Sequence, residues 1–175
     1  MLKVISNNNF FTYNNDPTNP RLYNWYAVIG IHDAASLTDP SLRKEFAPDG
    51  LHVPSDSEWT TLENYLIANG YNYDGTITEN KIAKAMASTT GWGSNITAGA
   101  PGNDQSLNNS SGFNTFPEGI RNNNGSFYNG SVIFWSSTQT NPNYAWNRSL
   151  NYNRSNLLMT TINKQNGFSV RFVRD

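Results

Sequence analysis

The stretch AWNRSLNYN, residues 145–153, alternates between large side chains and short polar ones. One parity holds the large residues Trp146, Arg148, Leu150 and Tyr152. The other parity holds Asn147, Ser149, Asn151 and Asn153. Because successive side chains of a β-strand point to opposite faces, the alternation predicts a strand that packs its large residues inward. The row of short polar groups is then expected to face solvent.

Other short runs of β-branched and aromatic residues lie on both sides of this stretch, separated by Gly and Asn turns. Closest to it, residues 131–137 and 157–162 predict neighbouring strands. Further strands are predicted at residues 113–116, 126–128 and 167–174. Residues 22–29 end at Gly30 and predict an earlier strand.

Two helices are predicted between these strands. The first follows Pro54, because residues 55–58 read as a capping box and Trp59, Leu62 and Leu66 recur at helical spacing before Gly70. The second is predicted from about Thr78 to Ser88, with Thr78 as its cap. Its buried stripe would consist of Ile82, Ala85 and Met86.

The remaining segments read as connections. Residues 1–20 are rich in Asn and contain Pro17 and Pro20, so they are expected to form an arm or linker. Residues 91–111 predict a long loop in which Trp92 is the one large ring and could be exposed. The expected organisation is one α+β domain, residues 21–175, with two helices flanking short, mostly antiparallel strands.

Composition excludes several classes of function. The chain has 175 residues, a net charge of −1 and 14% charged residues, without a Lys/Arg cluster, so nucleic acid is not an expected partner. There are no cysteines, which removes thiol catalysis and zinc–thiolate sites. No apolar run is long enough for a membrane helix, and the apolar start, residues 1–6, is too short for a signal peptide. Membrane insertion is therefore not expected.

Catalytic and metal chemistry find little support in the residue pattern. His32 and His52 lack a supporting cluster of ligands, and most carboxylates fall at helix caps or in loops. A structural ion near Asn103 and Asp104 is an open alternative. We expect no catalytic residue, no metal site and no cofactor.

Several blocks of sequence, taken together and in order, resemble one known family. They are residues 23–28 (YNWYAV), 50–59 (GLHVPSDSEW), 111–114 (SGFN), 119–121 (GIR), 134–138 (FWSST), 145–146 (AW) and 167–175 (GFSVRFVRD). This set is similar to the Fibrobacter succinogenes major paralogous domain over about residues 22–175. The resemblance implies a C-type-lectin-like fold and an origin in surface or secreted proteins of gut and rumen Bacteroidetes or their phages.

The segment from Trp135 to Arg171 also resembles the variable region of lectin-fold proteins that retroelements diversify at Asn codons. Such regions keep a framework and vary an exposed face. We therefore expect a ligand-binding face, at an extracellular, cell or virion surface, for a host surface protein or glycan. Its expected residues are Asn141, Asn143, Tyr144, Asn147, Ser149, Asn151, Asn153, Ser155 and Asn156.

Two further points stay open at this stage. The domain could instead be a structural or assembly unit of a surface polymer or virion, without a dedicated ligand. A homo-oligomer or a larger fibre is also compatible with the resemblance.

Overall fold

The computed structural model describes residues 10–44 and 46–175. Within these ranges, the strands are β1 (Phe10–Thr12), β2 (Arg21–Tyr23), β3 (Leu51–His52), β4 (Ile120–Arg121), β5 (Phe127–Tyr128), β6 (Ser131–Gln139), β7 (Tyr144–Asn151), β8 (Leu158–Asn163) and β9 (Val173–Arg174). The α-helices are α1 (Trp25–Val28), α2 (Ala34–Thr38), α3 (Asp56–Ala68) and α4 (Ala83–Met86). Three short 3₁₀ turns complete the described elements.

The largest sheet has three antiparallel strands in the order β6-β7-β8, so β7 is central. Three two-stranded antiparallel ribbons surround it: β1-β2, β3-β9 and β4-β5. The fold is thus α+β, with few helices and short antiparallel strands, as the sequence predicts. Among the described residues, no helix has both the length and the apolar character that a membrane crossing requires.

Both faces of the three-stranded sheet are covered by apolar clusters. Phe134 and Leu150 belong to a cluster that includes Trp59 of α3. On the other face, Trp135 and Ala145 belong to a cluster with Trp25 of α1. The sheet therefore forms the middle layer of the domain in its central part.

The first predicted helix is confirmed as α3. Ser55 is its N-cap: the Ser55 hydroxyl accepts from the Glu58 backbone N–H, and the Glu58 carboxylate accepts from the Ser55 N–H. Trp59 and Leu66 are buried, and Leu62 packs at the edge of the same cluster. Local capping and periodicity were enough to define this helix because its signals lie within a few residues of each other.

The second predicted helix is much shorter than expected. Helix α4 spans only Ala83–Met86, although Ile82, Ala85 and Met86 are buried as predicted. Residues before it form a loop around the side chain of Asn72, whose amide donates to the carbonyl oxygens of Thr76 and Thr78. Thr78 is therefore not a helix cap.

The predicted strand at residues 22–29 is correct only at its start. Strand β2 ends at Tyr23, and the Asn24 side chain then accepts a hydrogen bond from the Ala27 N–H at 2.9 Å, which caps α1. An Asn at this position favours a helix start over strand continuation, and this local bond outweighs the β-propensity of the following aromatic residues.

The predicted arm begins to pair before residue 20. Phe10–Thr12 forms β1 and pairs with β2, and the Tyr13 ring contacts Phe127 edge-on at 5.4 Å between centroids. Residues 10–20 are thus part of the folded domain rather than a linker. The first part of the predicted arm, residues 1–9, lies outside the described residues.

Two of the predicted strands and the exposed position considered for Trp92 also need correction. Residues 113–116 contribute only a single bridge, at Thr115, and residues 167–174 form a strand only at Val173–Arg174. Trp92 is buried, with 4% exposure, and its indole N–H donates to the Ser88 hydroxyl. Long-range contacts, which a local pattern does not contain, decide all three outcomes.

Candidate functional site

The predicted binding residues fall into three groups along β7 and its two turns. The first group consists of Asn141 and Asn143 in the β6–β7 turn and Tyr144, the first residue of β7, and all three are exposed. The Asn141 side-chain oxygen accepts from the backbone N–H groups of Asn143 at 2.9 Å and Tyr144 at 3.0 Å. Asn141 therefore shapes the turn, which presents the Tyr144 ring at 42% exposure.

The second group contradicts the prediction of a solvent-facing row. Asn147 is 1% exposed and Ser149 is 5% exposed, and Asn151 is half-buried. The Asn147 amide donates to the Thr160 carbonyl oxygen at 3.0 Å, and the Thr160 hydroxyl donates to the Asn147 side-chain oxygen at 3.1 Å. Because β7 is central and both of its faces are covered, short polar residues there serve the sheet rather than solvent.

The third group lies at the other end of β7. Asn153 is exposed, whereas Ser155 and Asn156 are half-buried. The Ser155 carbonyl oxygen accepts from the Ala83 N–H at 3.0 Å, which ties this turn to α4. Seven strand steps separate Tyr144 from Asn151, about 23 Å. The nine predicted residues therefore do not form one continuous face.

The outer edge of β8 is fixed next to this turn by Asn80. The Asn80 amide donates to the Leu157 carbonyl oxygen at 2.8 Å, and its side-chain oxygen accepts from the Leu157 N–H at 3.0 Å. The side chain thus occupies both backbone groups of the residue just before β8, as a neighbouring strand would.

A different set of residues forms an exposed patch on the face of the sheet that α3 covers farther along. Trp146 lies directly opposite Thr161, and both lie on the same face as Tyr144 and Met159. Met159 is 45% exposed, Thr161 is exposed and Trp146 is half-buried. We call Tyr144, Trp146, Met159 and Thr161 the sheet patch.

The prediction from sequence included only Tyr144 of this patch. The parity pattern had assigned Trp146 to interior packing, because it shares a parity with Arg148 and Leu150. Arg148 is bonded to Asp56 and Thr60 of α3 and is fully buried, whereas Trp146, two residues earlier on the same face, is half-buried, so burial decreases along one strand. Met159 and Thr161 could be found only through the β7–β8 register.

Two buried cations fix the sheet beneath the patch and the β6–β7 turn. The Arg148 guanidinium is fully buried and donates to the Asp56 carboxylate at 2.6 Å and to the Thr60 hydroxyl at 3.0 Å. The Lys164 ammonium donates to the side-chain oxygen of Gln139 at 2.6 Å and to the Pro142 carbonyl oxygen at 3.2 Å. The turn that presents Tyr144 is therefore held from below.

The histidines and serines near α3 are engaged in structural contacts. His52 lies between Glu58 and Asp175, with both ring nitrogens 2.7 Å from a carboxylate oxygen. Hydrogen bonds to Glu58 and then to Asp175 raise the pKa of His52 above its ordinary value. The Ser55 hydroxyl donates to Glu58, so Ser55 and His52 are both committed to the same carboxylate.

Lys84 occupies the position considered for a structural ion. Its ammonium donates to the backbone carbonyl oxygens of Asn103 and, at 2.8 Å, Asp104. Burial lowers the pKa of Lys84, although the nearby Asp104 acts in the opposite direction. Within the described residues, there is no group of three or more His, Asp or Glu side chains that could hold a metal ion.

Comparison with known proteins identifies the family. The model of the Fibrobacter succinogenes major domain matches residues 5–174, nearly the whole chain. Comparisons with curated proteins and with solved structures found no similar chain. The match covers the three-stranded sheet, both apolar clusters and the sheet patch, and the chain therefore belongs to the Fibrobacter succinogenes major domain family.

Proposed function

We propose that this domain is a non-catalytic binding module with a C-type-lectin-like fold, which acts in phage receptor binding or cell-surface adhesion. Its contact surface would be the sheet patch together with Asn141 and Asn143 of the β6–β7 turn. The observation that carries the proposal is the position of the sheet patch: four uncharged side chains, three of them exposed and Trp146 half-buried, on a sheet that buried networks hold in place.

The chemistry of the patch suits recognition of another macromolecule. Tyr144 and Trp146 combine an apolar ring with one polar group, a type of residue that dominates the energetics of protein interfaces. Met159 adds an adaptable apolar side chain, and Thr161 adds a hydroxyl. Because none of the four carries a charge, binding would not require the desolvation of an ion.

The rigidity of the support favours the same conclusion. The Lys164 ammonium and the Asn141 side chain both bond to the turn that presents Tyr144. Trp146 lies on the central strand, next to the buried Arg148 network. A surface that is ordered before binding loses less conformational entropy when the ligand arrives.

The absence of a catalytic role is also a proposal. Its support is that His52 and Ser55 both hydrogen-bond to Glu58, while the other ring nitrogen of His52 bonds to Asp175. These bonds cap α3 and connect β3 to it. A nucleophile needs a base within reach, and here the two groups share a carboxylate instead of contacting each other.

Diversification by a retroelement remains a narrower hypothesis. It requires variable codons at exposed positions, and Asn147 and Ser149 are buried. The hypothesis would therefore rest on exposed Asn141, Asn143 and Asn153. A gene neighbourhood without a reverse transcriptase and without a near-copy of the codons for residues 135–171 would remove it.

The binding proposal is tested by pull-down from host cell envelopes and by a glycan array. We expect the double variant Tyr144→Ala, Met159→Ala to lose at least about tenfold in affinity, because it removes two exposed contact residues. Its matched control is Tyr65→Ala, which removes a ring of α3 that is 58% exposed.

Thermal unfolding of each variant separates loss of binding from loss of fold. Equal binding by the double variant and the wild type would contradict the assignment of the sheet patch. Absence of any bound envelope component would contradict the binding function itself and favour a structural or assembly role at the surface of a cell or virion.

A further inference from the structure

A cleft of about 320 Å³ lies between the first turns of α3, residues 112–113 and residues 171–173. It shares no residue with the sheet patch. Its volume is at the lower end of the range for small-molecule sites. Its walls include the apolar side chains of Trp59, Leu62, Phe113 and Phe172.

The aromatic walls favour a flat ligand. Trp59 packs against Phe134 behind it, with ring centroids 5.7 Å apart, and against Phe113 at 6.1 Å. Phe172 is held by Phe46 at 5.9 Å and keeps 38% of its surface exposed. A planar ring is the shape that makes the most contact with such walls.

The charges of the cleft favour an anion. Glu58 and Arg171 are its two charged lining residues. Both oxygens of Glu58 are already engaged, one by His52 at 2.7 Å and the other by Ser55 at 2.7 Å. Arg171 bonds to the carbonyl oxygens of Phe113 and Asn114 through its Nη2 atom alone, among the contacts of the described residues.

The guanidinium of Arg171 therefore keeps donors for a ligand. Its central carbon lies 4.9 Å from the centre of the Phe113 ring, which holds the fork beside an apolar wall. An arginine in this setting can bind a carboxylate through two parallel hydrogen bonds. The ligand carboxylate would pair with the positive charge of Arg171, which Glu58 does not neutralise because its two oxygens are bonded to His52 and Ser55.

We propose that the cleft binds a small planar aromatic acid. Its ring packs against the walls formed by Phe113 and Phe172, and its carboxylate binds the Arg171 guanidinium. This assignment is independent of the proposed binding function of the sheet patch.

The test is isothermal titration calorimetry of the wild-type chain with two matched probes, 4-hydroxyphenylacetate and its neutral amide. We expect the amide to bind at least about tenfold more weakly than the acid, because it cannot pair with the guanidinium as an anion. Equal binding of acid and amide, or no binding of the acid at millimolar concentration, would overturn the proposal.

Variants locate the binding in the cleft. Arg171→Gln should weaken binding of 4-hydroxyphenylacetate at least about tenfold, and Arg171→Lys should recover part of the loss because it restores the charge. The matched control is Arg154→Gln, an exposed arginine of the β7–β8 turn. An equal loss in the control would place the binding outside the cleft and overturn the assignment.

Discussion

The two faces of the three-stranded sheet each bury a cation, but they surround it differently. On the α3 face, fully buried Arg148 contacts the carboxylates of Asp56 at 2.6 Å and Glu63 at 3.6 Å. On the opposite face, Lys164 is 2% exposed and donates to neutral oxygens. Its ammonium also lies 4.1 Å from the centre of the Trp25 ring.

The difference indicates which of the two buried cations makes the stability of the domain depend on pH. The carboxylate partners of Arg148 offset the cost of burying its guanidinium only while both are present. Lys164 has no carboxylate partner in these contacts, so burial dominates, and Arg43 adds repulsion. The pKa of Lys164 consequently falls to about 8.

Removing the cation of the α3 face should have the largest effect. We expect Arg148→Ala to lower the free energy of unfolding by about 3–5 kcal/mol, because Asp56 and Glu63 lose their partner and a cavity opens in the sheet. Urea denaturation measures the change. Arg154→Ala, an exposed arginine nearby, should change it by less than about 0.5 kcal/mol. If both variants changed the free energy of unfolding by a similar amount, the buried network of Arg148 would contribute no more to stability than an exposed arginine.

The effect of Lys164, the cation of the opposite face, should appear in the pH dependence of the free energy of unfolding. The folded state releases the Lys164 proton at about pH 8, whereas the unfolded chain holds it until about 10.5. Between these values the unfolded state binds more protons, so the free energy of unfolding rises with pH. The rise is up to about 3 kcal/mol relative to Lys164→Met, which shares every other titrating group. If the free energies of unfolding of the wild type and Lys164→Met changed in parallel with pH, the neutral contacts of Lys164 would fully compensate the cost of burying its charge.

Substitution of Asn147, whose buried amide is neutral, should have a smaller effect on stability than substitution of either cation. We expect Asn147→Ala to cost about 1–3 kcal/mol, because it removes the bonds to Thr160 and leaves buried polar groups unpaired. The exposure predicted from sequence parity would make the same substitution nearly neutral. Asn153→Ala, at an exposed position, is the matched control for loss of an Asn side chain in chemical denaturation. A cost no larger than that of the control would mean that Asn147 is not part of the sheet's internal bonding.

The exposed histidine at the edge of the α3 face should have the smallest effect. Glu58 and Asp175 raise the pKa of His52, so its contribution to stability is complete below the unfolded value near 6.5 and is lost as pH rises through the higher folded value. The sign is opposite to that of Lys164. His52→Gln should flatten this small slope near neutral pH in thermal unfolding, and an unchanged slope would contradict the ion pairs.

Sequence reasoning recovered the elements whose signals are local. The capping box at Ser55 defined α3, alternation located β7, and runs of β-branched and aromatic residues located β6 and β8, each to within one or two residues. It failed where a distant or unusual bond decides the outcome. Asn72 organises the loop before α4 through its amide, and Glu79 adopts a left-handed conformation, φ 62°, that no helix can contain.

The candidate site was predicted less well because exposure is not a property of one strand. Alternation correctly separates the two faces of β7, yet it cannot show that Trp135 and α3 cover both of them near Asn147. The identity of the central strand depends on the β7–β8 register, which also brings Met159 and Thr161 beside Trp146. Of the nine predicted residues, Asn141, Asn143, Tyr144 and Asn153, which lie in or beside the two turns of β7, are exposed as predicted.

The side-chain pairing of Asn80 with Leu157 has a consequence for pairing with other chains. Backbone groups along an antiparallel edge point outward at alternate residues, and along β8 and the residue before it these are Leu157, Met159, Thr161 and Asn163. The strand LMTTIN has no charge or proline to discourage pairing with another chain. Asn80 occupies one end of this row and the turn that folds back on Asn163 occupies the other. Two outward-pointing residues, Met159 and Thr161, are therefore left along this edge, which shortens the stretch that could pair with another chain.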